Sequence, residues 1–229
     1  MKTTHKIFFL LALIILSCAS AQTEKQISKF QNNLGKDNYV TLKFLTAEFE
    51  KNFLKKNYPT LSIEKSYERF LIDVKNGEVN FKNKISTKNR DIFNESNLKL
   101  EIYEFPDSVW IGKNGIESRY IFKDKDGEID RNDDGTINYG YSLKSADLNK
   151  NQDSIVQKEY MTPRLRYSGK YLKAIRAIKK DGEFYEAFYN VKDKAGSVKS
   201  EIMAEIILKS NPDFSNPITK GLIVMEFGY

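Results

Sequence analysis

Histidine and cysteine are almost missing from this chain. His5 and Cys18 are the only residues of their kinds among 229, and both fall within the first twenty positions. Imidazole and thiolate are the usual general bases, nucleophiles and soft metal ligands near neutral pH. Beyond Cys18 the chain can therefore build no serine–histidine or cysteine–histidine hydrolase, no zinc site of histidine or cysteine, and no disulfide framework. A glycine-rich phosphate loop and a dinucleotide fingerprint are also lacking. The net formal charge of +6 is mild for this length, acids and bases are interspersed, and no arginine-rich block occurs. A nucleic-acid binder shows a clustered basic face or a recognisable module, and neither is present. Internal repeats and low-complexity stretches are missing too. Chemistry after Cys18 is left to oxygen and ammonium groups.

Long apolar runs are likewise scarce. The clearest, residues 7–16, falls short of the roughly 20 residues that span a bilayer. Lys2 and Lys6 precede it and Ala19-Ser20-Ala21 follows. A positive start, a compact apolar stretch and a small-x-small tripeptide make an export signal over residues 1–21, cut before Gln22. Cys18 offers a second reading. Ile15-Leu16-Ser17-Cys18 resembles the processing box of a bacterial lipoprotein, which implies a lipid on Cys18. Leu16 is an unusual residue at its place in such a box. On either reading the chain is exported, to the periplasm, the cell surface or the medium.

Residues 22–36 are polar and read as a loose leader, ahead of one globular α+β domain over 37–229. Asp37 is placed to cap a first helix with the stripe Leu42, Leu45, Phe49 and Phe53. Tyr58-Pro59 closes it, because a residue before proline is pushed out of the α region. Ser62 caps a second helix carrying Ile63, Tyr67, Phe70, Leu71 and Val74, with Gly77 as its stop. The two pair as a helical hairpin. A third helix runs from Ser86 to about Tyr103, with Ile92, Phe93, Leu100 and Tyr103 inward.

The period then changes to two. Residues 109–113 and 116–122 flank Asn114-Gly115, the dipeptide of a type I′ hairpin. Residues 136–143 alternate, with Ile137, Tyr139, Tyr141 and Leu143 on one face. Together they predict an antiparallel β-meander over about 109–144. Three further helices carry the stripes Tyr171, Ala174, Ile175 and Ile178; Phe184, Ala187, Phe188 and Val191; and, after a Ser197 cap, Ile202, Ile206 and Ile207. The run at 222–227 suits a strand covered on both faces, a final buried strand at about 221–227. Helices, strands, helices and a strand give an α+β order.

The densest set of oxygen ligands lies within the meander. Asp130, Asn132 and Asp134 alternate, Gly135 supplies a sharp bend, Thr136 offers a carbonyl and Ile137 an apolar side chain. These residues resemble the opening of a calcium loop of the EF-hand or dockerin kind, which implies Ca²⁺ held by Asp130, Asn132, Asp134 and Thr136. Tyr141 stands where such a loop has its bidentate acid, so the implied affinity is weak, in the millimolar range of extracellular calcium. The same letters also make an ordinary polar hairpin tip, since Asp and Asn bond their own backbone and accept left-handed geometry.

A second cluster, Arg164, Arg166, Ser168 and Lys170, precedes or opens a helix capped by Ser168. Free amides at a helix N-terminus, with arginine forks beside them, suit a small anion. The alternative is an ordinary capped helix whose arginines pair with acids of the same chain. Paired carboxylates serve glycosidases without histidine, but spacing alone singles out no pair among 31 acids. Trp110, Tyr139 and Tyr141 can stack on sugar rings or sit in a core with a wet edge; for Trp110 the core is the expectation. The chain thus reads as an exported binding or scaffolding protein rather than an enzyme. Calcium is the one cofactor suggested, nucleic acid is not a partner, and membrane contact is confined to the signal or a lipid on Cys18. A carboxylate-dependent hydrolase of envelope or extracellular glycans is the competing reading.

Overall fold

The computed structural model describes residues 22–79, 86–121, 128–129, 131, 134–137, 139–145 and 151–229; the expected export signal and Cys18 lie outside them. Residues 22–34 form a helix, α1, where the sequence suggests a loose leader. Its apolar stripe is narrow, Ile27, Phe30 and Leu34, spaced three and four apart. Phe30 and Leu34 are nevertheless wholly buried. Burying such a side chain is worth roughly 1.5–3 kcal/mol, which fixes an otherwise polar helix. Gly35, at φ +92°, ends α1 and occupies the N-cap of α2, Lys36–Phe49. Asp37 lies in the first turn of α2 rather than at its cap, where its charge suits the positive end of the helix dipole.

α2 continues through a π-helical turn, Glu50–Leu54, into α3, Lys55–Asn57. The expected stripe of Leu42, Leu45, Phe49 and Phe53 is buried. α4, Ile63–Lys75, starts at Ser62, whose Oγ accepts from the Lys65 amide at 3.3 Å, and Gly77 stops it at φ +72°. Phe49 and Phe53 stack at 5.0 Å, and both meet Phe70 edge-on at 5.5 and 5.6 Å. These rings join α2 and its π-helical turn to α4, as expected of the pair, although α4 packs most extensively on the helix at Ser200–Lys209.

Where one helix is expected from Ser86 to Tyr103, two form: α5, Thr87–Glu95, and α6, Asn97–Ile102. Ser96 is extended, and its hydroxyl caps α6 by accepting from the Lys99 amide at 3.4 Å. The break resets the helical phase. Leu98 and Ile102 are buried, whereas Leu100 turns outward. Tyr103 opens β1, Tyr103–Glu104.

β2 (Ser108–Gly112), β3 (Gly115–Ile121) and β4 (Tyr139–Lys144) form the expected antiparallel meander in that order. Gly112 pairs with Gly115, so the tight loop is Lys113-Asn114, one residue earlier than Asn114-Gly115. Neither loop residue has a positive φ, which rules out type I′. Gly115 instead takes φ +142°, and a Cβ there would run into the Lys144 carbonyl oxygen. α7, Gln152–Tyr160, lies against β2, and β5, Arg164–Leu165, pairs with β1.

The three expected helices follow as α8 (Lys170–Ile178), α9 (Glu183–Ala195) and α10 (Ser200–Lys209). In α10 the N-cap is Lys199 rather than Ser197, Met203, Ala204 and Ile207 are buried, and Ile202 faces out. The run at 221–227 is a helix, not the expected strand: α11, Pro217–Phe227. The Asn216 side chain caps it by accepting from the Ile218 amide at 2.8 Å. Pro217 takes the first helical position, where its missing N–H is no loss. A continuous apolar run fits a buried helix as well as a buried strand, and α11 is buried on nearly every side. Gly221 lets Leu42 of α2 approach; a Cβ there would lie 3.1 Å from it.

Among the described residues every helix except α3 and α7 contributes to the core, α11 most completely. The buried sheet residues Val109, Ile116 and Tyr120 stand outside that helical core. The fold is α+β, a helical body with a small sheet attached. Among the described residues no helix is long and apolar enough to cross a membrane.

Candidate functional site

The two faces of the three-stranded sheet differ. Strand register puts Val109, Ile116, Ser118, Tyr120, Ser142 and Lys144 on one face. Helix α7 covers it. Glu159 of α7, buried to 6% exposure, accepts from Ser118 Oγ at 3.3 Å and from Lys144 Nζ at 2.7 and 2.9 Å. The Arg164 guanidinium, from β5, lies 3.5 Å from the centroid of the Tyr120 ring. Polar and cationic contacts thus hold the sheet to the body.

The opposite face carries Trp110, Glu117 and Leu143 in one row, Ser108, Arg119 and Tyr141 in the next, and Ile121 beside Tyr139 in a third. β4 alternates as expected, but Tyr141 and Leu143 face out, at 65% and 57% exposure, and Trp110 joins them at 37%. The core assignment of Trp110 is therefore corrected. Trp110 and Tyr141 meet edge-on with centroids 6.5 Å apart, and Tyr139 and Tyr141 lie 6.4 Å apart. The charges between the rings are tied down. Trp110 Nε1 donates to Glu117 Oε2 at 3.1 Å. Arg119 donates to Asp107 Oδ2 at 2.9 Å and to Ser108 Oγ at 2.8 Å, and its guanidinium lies 4.4 Å from the Tyr139 centroid. Asp107 holds that guanidinium in its charged form. Folding proteins bury rings of this size, so their grouping in solvent makes this face the candidate binding surface. Trp110 and Tyr141 are the exposed rings, Tyr139 carries Arg119 on its ring, and hydrogen-bonding groups lie between them.

A cavity of about 290 Å³ lies at the Ile121–Tyr139 end of this face. Tyr103, Phe105 and Ile121 supply its apolar wall, and Glu104, Asp107 and Arg166 its polar one. Asp107 serves both places, lining the cavity and holding Arg119. Glu104 pairs with Arg164 at 2.5 Å. Burial pushes the Tyr103 hydroxyl up to about 12, and the charge of Glu226 adds to the shift. No spacing rule picks these residues out, because they come from β1 and the segment after it, the end of β3 and the residue that follows β5. The one local signal is the dense aromatic and acidic run Tyr103-Glu104-Phe105-Pro106-Asp107.

The four residues expected to bind an anion do not converge on one point. The N-cap of α8 is Gly169 rather than Ser168. The Lys170 amide donates to Glu101 Oε2 at 2.7 Å, and the Lys170 ammonium lies 3.7 Å from Glu101 Oε1. The anion at this helix N-terminus is thus a carboxylate of the chain itself. Arg164 turns to Glu104 and Tyr120, and Ser168 Oγ lies 3.5 Å from Arg166 Nε. Arg166 donates to the Leu100 carbonyl at 3.0 Å and lines the cavity.

Of the calcium-loop residues, Asp130 and Asn132 lie outside the described residues. Asp134 Oδ1 accepts from the Thr136 amide at 2.9 Å and the Thr136 hydroxyl at 2.6 Å, which hold its carboxyl below the usual range. Gly135 makes the bend at φ +82°. Among the described residues no group of three metal-ligating side chains comes together.

A second cavity, about 270 Å³, opens between α1, α9 and α11. Its buried groups satisfy one another: Gln26 Oε1 accepts from Asn216 Nδ2 at 2.8 Å and from the Tyr185 hydroxyl at 3.3 Å, and the Tyr185 and Thr219 hydroxyls are 2.9 Å apart. This network ties α1 to the body. No protein family, curated protein or solved structure matches the chain.

Proposed function

We propose that this is an exported, non-enzymatic binding protein that holds a glycan chain across the outer face of β2, β3 and β4. One observation carries the reading: Trp110, Tyr139 and Tyr141 share an outward face of the sheet, with Trp110 and Tyr141 exposed. A ring laid on the C–H face of a sugar removes apolar surface from water on both sides. Glu117, Arg119 and Ser108, interleaved with the rings, offer partners to sugar hydroxyls. Tyr and Trp do this at low entropic cost, because each orders only two side-chain torsions. An export signal would deliver the chain to the space where envelope and extracellular glycans lie.

The acids of this region favour binding over hydrolysis. Glycosidases need one carboxyl to donate a proton and another to attack or activate water. Here Glu117 is engaged by Trp110, Asp107 by Arg119 and Glu104 by Arg164. The test is calorimetric titration of the processed chain with envelope and extracellular polysaccharides. Tyr141→Ala and Trp110→Ala should each weaken binding about tenfold, the equivalent of about 1.4 kcal/mol per ring, with the melting temperature kept. Shortening of a bound glycan would support the hydrolase instead. Failure of every glycan to bind would overturn the proposal.

A further inference from the structure

We infer that the cavity at the Ile121–Tyr139 end of the sheet takes an acidic sugar, a uronic acid, with Arg166 as the partner of its carboxylate. This rests on the glycan-binding reading of the adjoining face and adds the class of sugar. The cavity and the face are continuous through side chains. Asp107 in the cavity wall holds Arg119, and Arg119 lies over Tyr139. Trp110 pairs with Glu117, four residues before Ile121, so the Trp110 row stands ~13 Å from the cavity end of the sheet at ~3.3 Å per strand residue, with Tyr141 and Tyr139 in the rows between and beside it. A short oligosaccharide spans that distance.

Charge decides the class. The two carboxylates of the cavity, Glu104 and Asp107, each have an arginine. Among the described residues Arg166 has no carboxylate within ion-pair distance. Its Nη1 is anchored on the Leu100 carbonyl and its Nε lies near Ser168, so the plane of the guanidinium is set before a ligand arrives. A planar, pre-set fork suits a carboxylate. The Lys99 ammonium, 5.3 Å from the Phe105 centroid, adds positive potential at the same wall. Size decides where the charge must sit. The rings of Tyr103 and Phe105 share one space of about 290 Å³ with the guanidinium. The sugar unit that packs on the rings must therefore carry the charge itself. A uronic acid bears a planar carboxyl bonded directly to a ring carbon, whereas a phosphate is tetrahedral and joined through an ester oxygen that sets it further from the ring.

The test compares a galacturonic acid tetramer, its methyl ester and a phosphorylated galactose oligomer by calorimetry, with the emission of Trp110 read in parallel. The acid should bind about tenfold or more tightly than the ester, the range of a charge-assisted hydrogen bond. That preference should vanish in Arg166→Gln, survive in part in Arg166→Lys, and narrow as salt is raised. Melting curves of both variants establish that the fold is kept, and the lysine variant serves if the glutamine variant does not fold. Equal binding of acid and ester, or an unchanged preference in Arg166→Gln, would overturn the inference. So would tighter binding of the phosphorylated oligomer. A neutral glycan that binds and shifts Trp110 emission, with no gain from the acid, would remove the uronic acid and leave the glycan face standing. Silence of Trp110 toward every glycan would remove the face itself.

Discussion

Tyr141 and Phe70 are both aromatic, and their loss should have opposite consequences. Tyr141 is 65% exposed, so Tyr141→Ala should change stability by less than about 0.5 kcal/mol while weakening glycan binding. Phe70 is wholly buried among Phe49, Phe53 and Phe227. Phe70→Ala should cost about 3–5 kcal/mol, measured as a shift in the urea midpoint. Buried tyrosines also set an alkaline limit. Burial pushes Tyr103 and Tyr185 up to about 12 from an ordinary value of 10.0. The folded state therefore favours the neutral phenol. That stabilisation is complete below pH 10, where both states are protonated, and is lost as pH rises from 10 to about 12, because the unfolded chain ionises first. Melting temperature followed across that window should fall in step with the appearance of tyrosinate absorbance. A flat profile would contradict these shifts.

Elements show what the sequence does and does not specify. The stripes of α2, α4 and α8 were legible because a wide apolar face at helical spacing has one meaning. α11 was not, because its side chains are apolar all round, and only Asn216-Pro217 marks it as a helix. β4 illustrates a different limit. Its alternation was plain, but alternation does not say which face is covered; Glu159 draws Lys144 inward and leaves Tyr141 outside. α8 owes its start to a residue distant in sequence. Glu101 caps it from α6, which no local spacing reveals. Glu101→Ala should destabilise the protein by about 0.5–2 kcal/mol, the usual worth of a lost cap, and Glu101→Gln by less; the urea midpoint reads both. At the sheet, Gly115→Ala forces a Cβ against the Lys144 carbonyl oxygen. It should disrupt β2–β3–β4, seen as weakened glycan binding with much of the helical circular dichroism kept.

The whole molecule divides its labour. The helices make the core, and the sheet is attached to it through α7 and β5 by hydrogen bonds, an ion pair and a cation over a ring. Tyr120 is buried on the covered face, whereas Trp110 and Tyr141 on the other face are released from packing, which is what the proposed recognition needs. α1 belongs to the core side of that division. A chain that lacks residues 22–34 loses Phe30 and Leu34 from the interior, at about 2–5 kcal/mol each, and should not fold stably by circular dichroism, whereas a chain that starts at Gln22 should. The candidate site was only partly legible for a reason of the same scale. Its rings were visible as letters, but the cavity is assembled from segments far apart in the chain and exists only once β1 and β5 pair. Arg166 was singled out for its chemistry, while its neighbours Glu104 and Asp107 looked like any other acids. The chain has a single tryptophan, and it stands on the face in question. Fluorescence of Trp110 during titration with a glycan therefore tests the central claim most directly. A saturable change in its emission, with protection from a soluble quencher that Tyr141→Ala abolishes, is the predicted result; calorimetric glycan binding with no change at Trp110 would contradict it.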